Sequence, residues 1–219
     1  MSKLITSSLI SSVDWFKNCP PQWKERAFIS LRNTLARDYS EPMSKEVKRG
    51  IEFEDTVYNL LSKNKPLEQI QSIKCSEEFK DVLKYCYNGT FQQVSKSFLN
   101  IDGTEYCLYG KMDVLNPACS DNPSIIDIKT TGKYGGKSKY LNTYQHKIYC
   151  LNEKIKQFMY LVVVFDQEDK IEKYELVPYK VEDFKQLEKD VVEKIKDTIG
   201  FINCDEELKE YYNTTFSRY

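Results

Sequence analysis

Ser124-Ile125-Ile126-Asp127-Ile128-Lys129-Thr130-Thr131 places an acid and a base two residues apart inside a β-branched run. A second aspartate lies upstream in Gly110-Lys111-Met112-Asp113-Val114-Leu115. Side chains alternate along a strand, so Asp127 and Lys129 point one way while Ile126 and Ile128 enter the opposite face. An acid flanked by isoleucines then sits in a segment otherwise built for burial. Two carboxylates and an ammonium gathered at one sheet edge suit a hard-metal site for phosphate chemistry. The acid-x-Lys triplet alone says nothing, because Glu46-Val47-Lys48, Glu78-Phe79-Lys80, Asp183-Phe184-Lys185 and Glu207-Leu208-Lys209 fit it too. Those four sit in polar or helical surroundings, where a solvated charge is the simpler reading.

Three further features join this pair. On a helix, Val47, Ile51, Glu54, Tyr58 and Leu61 fall on one face, which puts the Glu54 carboxylate inside an apolar stripe. Such a group needs a metal or a hydrogen-bond network to compensate its burial. Gln145 and Tyr149, four apart, share a helix face, where an amide and a phenol can hold a phosphate or a base. Their neighbour His146, the chain's single histidine, reads as a surface residue. From Ile128 to Asn152 the chain has no acid but carries Lys129, Lys133, Lys137, Lys139 and Lys147 among glycines and tyrosines. That window is a candidate phosphate-tracking patch.

The elements that must position these groups read as follows. Residues 8–38 are expected to be helical with a break at Pro20-Pro21, and a longer helix starts after Ser40-Glu41-Pro42 and runs to about residue 62. A short segment over 70–75 and a helical or irregular stretch over 77–87 come next. Strands over 91–100 and 105–115 form a hairpin around Asp102-Gly103. A strand over 124–131, a Gly/Lys loop, a helix over 139–151 and strands over 158–165 and 170–177 follow. The closing helix, 181–199, keeps Val181, Phe184, Leu187, Val191, Ile195 and Ile199 on one face. This order predicts an α/β fold, a central mixed sheet flanked by helices.

With 219 residues and no linker-like tract, a single domain over 1–219 is expected, divided into a helical lead-in (1–40), a core (43–165) and a C-terminal helical region (180–219). A hydrophobic content of 41 %, with 16 Tyr and 11 Phe, is enough for a sizeable core. Net charge is −1, so contact with a polyanion must come from a local patch. The seven cysteines include no C-x-x-C pair and read as reduced thiols of a cytoplasmic protein. The N-terminal stretch reads as neither signal peptide nor membrane span. No G-x-x-x-x-G-K-[ST] motif occurs, so the chain is not itself a motor, although a recombination or helicase protein is a conceivable partner.

Together the motif residues resemble the PD-(D/E)XK nuclease superfamily, in particular its RecB-like, phage-type exonuclease branch. That pattern is an acid on the first core helix, an Asp on one strand, (D/E)-x-K on the next, then Gln-x-x-x-Tyr. Here it reads Glu54, Asp113, Asp127-Ile128-Lys129 and Gln145-His146-Lys147-Ile148-Tyr149, and Cys19-Pro20 matches the branch's lead-in. Where that branch often carries His, this chain has Glu54, the residue of other branches. The resemblance implies a restriction-endonuclease-like core and a Mg²⁺- or Mn²⁺-dependent deoxyribonuclease acting in recombination, repair or phage DNA metabolism. It implies Asp113 and Asp127 as metal ligands, aided by the Ile128 carbonyl and Glu54, with Lys129 acting on water and phosphate. DNA contacts would fall to Gln145, Tyr149, Lys133, Lys137 and Lys139. The iron–sulfur cluster of some relatives needs three cysteines near the C-terminus, and only Cys204 lies there, so no cluster is expected. An exonuclease is preferred over an endonuclease of the same fold, and both over a non-catalytic DNA-binding or assembly module.

Overall fold

The structure, a computed structural model, describes residues 2–62, 66, 68–69, 72–116 and 124–217. Short side chains set the helix starts by accepting amide hydrogen bonds. Thr6 Oγ1 takes the Leu9 N–H at 3.1 Å, opening α1 (Ser7–Asn18), and α2 (Lys24–Ala36) follows after the Pro20-Pro21 break. Ser44 caps α3 (Lys45–Leu61) and Ser76 caps α4 (Glu77–Cys86) in the same way. The segment expected over 70–75 lies in part outside the described residues.

Two long strands, β2 (Thr90–Ile101) and β3 (Thr104–Asn116), form the expected hairpin. Its two-residue turn has φ of 49° at Asp102 and 80° at Gly103, the doubly left-handed geometry that Asp-Gly favours. Then come β4 (Ser124–Thr131), the short α5 (Ser138–Leu141), α6 (Gln145–Glu153), β5 (Gln157–Phe165) and β6 (Ile171–Lys180). The chain continues into α7 (Phe184–Asn203), capped by Asp183, then α8 (Glu206–Tyr211) and a π-helical turn over Tyr212–Phe216. The helix expected over 139–151 is two, because Thr143 Oγ1 turns back onto the Tyr140 carbonyl at 2.8 Å in the break between α5 and α6.

The result is a six-stranded mixed sheet with helices on both faces. β3 is antiparallel to β2 and to β4, β4 is parallel to β5, and β5 is antiparallel to β6. Pairing along β3 positions the site. β2 occupies one whole edge. On the other edge β1 (Lys3–Thr6) runs parallel beside Tyr106–Tyr109, while β4 pairs only with Val114, Leu115 and Asn116. Among the described residues Gly110 to Asp113 therefore have no strand neighbour on that edge, and the sheet opens into a notch.

Two cores hold the sheet. Leu9, Val13, Leu31, Ile148, Val191 and Tyr212 belong to the one packed under α1, α2, α6 and α7. On the opposite face Phe53 and Val57 of α3 and Val82 and Leu83 of α4 cover Ile126, Ile128, Leu161 and Val163. The buried face of α3 is thus Phe53, Val57 and Leu61, which corrects the sequence reading. Val47, Ile51 and Tyr58 are exposed instead, and Glu54 lies half-buried at the border between the two faces. Gly50 allows the close approach of α3 to β4, since a Cβ there would meet Thr130 Oγ1 at 2.9 Å. Among the described residues no helix is long and apolar enough to cross a membrane.

Candidate active site

Asp127 is the innermost acid. It is 1 % exposed, in a strand whose flanking isoleucines are committed to the α3–α4 core. Lys129 Nζ stands 2.6 Å from its Oδ2, and Gln145 Nε2 donates to its Oδ1 at 2.7 Å. Burial pushes the Asp127 carboxyl up, against the pull of Lys129. Burial works the other way on the Lys129 ammonium, but Asp127 and Asp113 outweigh it and hold the group protonated. The ion pair thus runs along one strand, between residues two apart on the same face.

Asp113 lies where the β3–β4 pairing ends. Its Oδ2 accepts the Ile128 N–H at 2.8 Å, replacing a backbone partner that the opened sheet no longer supplies. Its carboxyl is raised well above the usual range, first by burial, then by Asp127 and Glu54. Across the notch the Tyr149 hydroxyl donates to the Lys111 carbonyl at 2.9 Å. Only glycine fits at position 110, because a Cβ there would lie 2.2 Å from Tyr149 Cε1.

Glu54 faces this group from α3. Burial raises its carboxyl to about 7, with Lys129 pulling it down and Asp127 pushing it up. Asp127 thus raises the affinity of both Asp113 and Glu54 for positive charge, whether a proton or a cation, and Glu54 raises that of Asp113. Among the described residues no three acidic, imidazole or thiol groups close around one point. The all-oxygen donor set and the mutual repulsion nonetheless fit a hard divalent cation.

A pH dependence follows. An acid whose folded value exceeds its ordinary one, here about 7 against 4.5, takes up a proton on folding. Without metal, Glu54 should contribute a loss of stability as pH rises from 4.5 toward 7, and Glu54→Gln should remove that contribution, so the variant gains on the parent across this range. Urea unfolding in EDTA between pH 5 and 8 measures it; equal pH slopes in the two proteins would contradict the assignment.

The remaining expected residues are placed differently. Lys133, Lys137 and Lys139 are exposed on the loop after β4 and around α5. Tyr149 is 3 % exposed and its hydroxyl is bonded to β3, so it positions that strand. Gln145 is spent on orienting Asp127. His146 is fully buried, correcting its reading as a surface residue. Its Nδ1 meets the Tyr160 hydroxyl at 3.1 Å, its ring packs on Tyr179, and burial lowers its imidazole to about 3. Lys111 escaped the sequence reading although its charge acts on Glu54; its place two residues before Asp113 on β3 was the available signal.

No family model and no curated protein sequence matches the chain. A solved phage-related exonuclease from Haemophilus somnus 129PT superposes with a TM-score of 0.50 at 15 % identity, over 93 % of this chain and 92 % of that one. The alkaline exonuclease LHK-Exo from Laribacter hongkongensis gives 0.47 at 13 % identity, over 91 % and 90 %. The structure of SSO0001 gives 0.49 at 16 %, over 92 % and 77 %. The first of these fixes the architecture. This chain has a restriction-endonuclease-like fold, the one its resemblance to the PD-(D/E)XK superfamily implies.

Proposed function

We propose that the protein is a Mg²⁺- or Mn²⁺-dependent deoxyribonuclease, an exonuclease of recombination, repair or phage DNA metabolism. The observation that carries this reading is the buried Asp127–Lys129 pair standing with Asp113 and Glu54 at a notch in the sheet. The fold shared with a phage-related exonuclease supports it. Asp113, Asp127, Glu54 and the Ile128 carbonyl are the oxygens that would hold the cation. When bound, it supplies Lewis-acid charge to the scissile phosphate and its departing oxygen. Lys129, kept protonated by Asp127, orients the attacking water and counters the charge growing on the phosphate. Gln145 keeps Asp127 turned toward the notch, and Tyr149 fixes the strand that carries Asp113.

Incubation with end-labelled linear and closed circular DNA, in Mg²⁺, in Mn²⁺ or in EDTA, tests the proposal. Stepwise shortening of the linear DNA only, abolished by EDTA, is expected; no cleavage in either metal would overturn it.

The loop lysines give a separate expectation. Neutralising Lys133, Lys137 and Lys139 together should weaken duplex binding and lower the slope of log affinity against log salt by up to about 3 units, one counterion term per lost phosphate contact. Affinity across a salt series in Ca²⁺ reads this, and an unchanged slope would return these lysines to an ordinary solvated loop.

A further inference from the structure

The outward face of the β2–β3 hairpin joins exposed rings to lysines beside the acid cluster. Along β2 every second residue from Val94 is exposed: Val94 at 54 %, Lys96, then Phe98 at 50 %. On the reverse face Ser95 is fully buried. Val94 is paired with Lys111, which is exposed, two residues before Asp113, and close enough for its charge to act on Glu54. Tyr58, 42 % exposed and one turn beyond Glu54 on α3, sets its ring edge-on to Phe91 of β2 at 5.7 Å. Gln92, at φ 55°, breaks the alternation of β2: Phe91 and its partner Val114 pack with the α3–α4 core while Met112 joins the opposite one, so Val94 and Phe98 come to the side of Phe91 and Tyr58, with Lys111 and Lys96 between the apolar groups. From the level of Asp113 to that of Cys107, the partner of Phe98, this surface spans roughly 20 Å at about 3.4 Å per residue.

Large apolar side chains kept in water beside a charged site mark a binding surface. The lysines suit phosphates, and among β2 and β3 residues on this face between Lys111 and Phe98 there is no acid. The rings decide between forms of nucleic acid. A duplex turns sugars and phosphates outward and closes its bases into the stack, so Phe98 and Tyr58 would find nothing to pack against. An unpaired strand exposes its base faces, which stack on aromatic side chains. We infer that this face is the track for an unpaired DNA strand running to the acid cluster, with Phe98, Val94 and Tyr58 against bases and Lys96 and Lys111 against phosphates. This rests on the nuclease reading and adds the form of substrate that the site engages.

The test is binding in Ca²⁺, by fluorescence anisotropy, of an oligothymidylate and of a blunt duplex of equal length. Phe98→Ala should weaken oligothymidylate binding roughly five- to a hundredfold, the range for loss of one stacked base, and duplex binding by less than about twofold. Phe98→Tyr should restore it. Lys96→Gln with Lys111→Gln should lower the single-strand salt slope by about 1.4, whereas Phe98→Ala should leave it unchanged. Equal loss on both DNAs, or no loss in a Phe98→Ala protein with normal thermal unfolding, overturns the inference. So does sedimentation showing that Phe98→Ala dissolves an oligomer, because the face would then be covered by a second copy. Strand-selective loss in a protein without cleavage would sink the nuclease reading alone, while normal cleavage with no Phe98 effect would sink only the track.

Discussion

Asp113→Asn is expected to lower DNA cleavage at least about a hundredfold, the scale for removing one preorganised charge-stabilising group, while leaving the protein folded. The substitution separates the two tasks of this side chain. Its Oδ2 accepts the Ile128 amide at 2.8 Å, and an asparagine oxygen can do the same, so β4 keeps its position. The charge that faces Asp127 and Glu54 is lost, and with it the oxygen donor suited to a hard cation. Relief of that repulsion should hold or raise the thermal stability of the metal-free protein at pH 8. Asp113→Ala should be just as inactive but less stable, since an unpartnered buried amide costs about 1–3 kcal/mol. Single-turnover cleavage, calorimetric metal titration and thermal unfolding of both variants distinguish these effects. A near-normal rate in the asparagine variant would remove Asp113 from the site.

Much of the fold was legible because its signals are local. Asp-Gly between two alternating runs specifies a hairpin, and the helix expected after Ser40-Glu41-Pro42 does begin just beyond it, at Lys45. What escaped depends on contacts across the chain. Lys3–Thr6 is too short to show a period and becomes a strand only by pairing with Tyr106–Tyr109. On α3, two adjacent apolar faces share Leu61, and the sequence alone favoured the one with Val47, Ile51 and Tyr58. The sheet covers the other, Phe53 and Val57, because Gly50 brings that side down onto Thr130. His146 looked like a polar residue for solvent, yet α6 turns it inward among Phe158, Tyr160 and Tyr179.

The candidate site divides in the same way. Two-residue alternation was enough to put Asp127 and Lys129 on one side and Ile126 and Ile128 on the other. The helical pair Gln145 and Tyr149 was visible, but what each touches was not. Their partners, the Asp127 carboxylate and the Lys111 carbonyl, are set by where β1 stops and where β4 begins to pair. A motif specifies residue types along the chain; the notch that gives them a geometry is a property of strand register.

Lys129→Met is expected to have the largest effect on stability, and the effect should depend on pH. In the native protein a carboxyl 1 % exposed stands 2.6 Å from an ammonium that favours its ionised form. Breaking a buried pair by removing one partner costs about 3–5 kcal/mol; Lys129 is 37 % exposed, water softens the loss, and the lower end, about 3 kcal/mol, applies. Asp127 can escape by taking up a proton, since burial already raises its carboxyl against the pull of Lys129. An acid raised in the folded state loses stability as pH climbs above its ordinary range. The variant should therefore unfold nearly like the parent at pH 5 and much more easily at pH 8. Adding Asp127→Asn should restore stability at pH 8 without restoring cleavage, because the asparagine amide leaves no buried charge and no anionic donor. Urea unfolding of the parent, the single variant and the double variant at the two pH values decides the matter. A loss in Lys129→Met that is the same at both, or that the second substitution fails to relieve, would mean the lysine supports the fold through its packed stem and not through its charge.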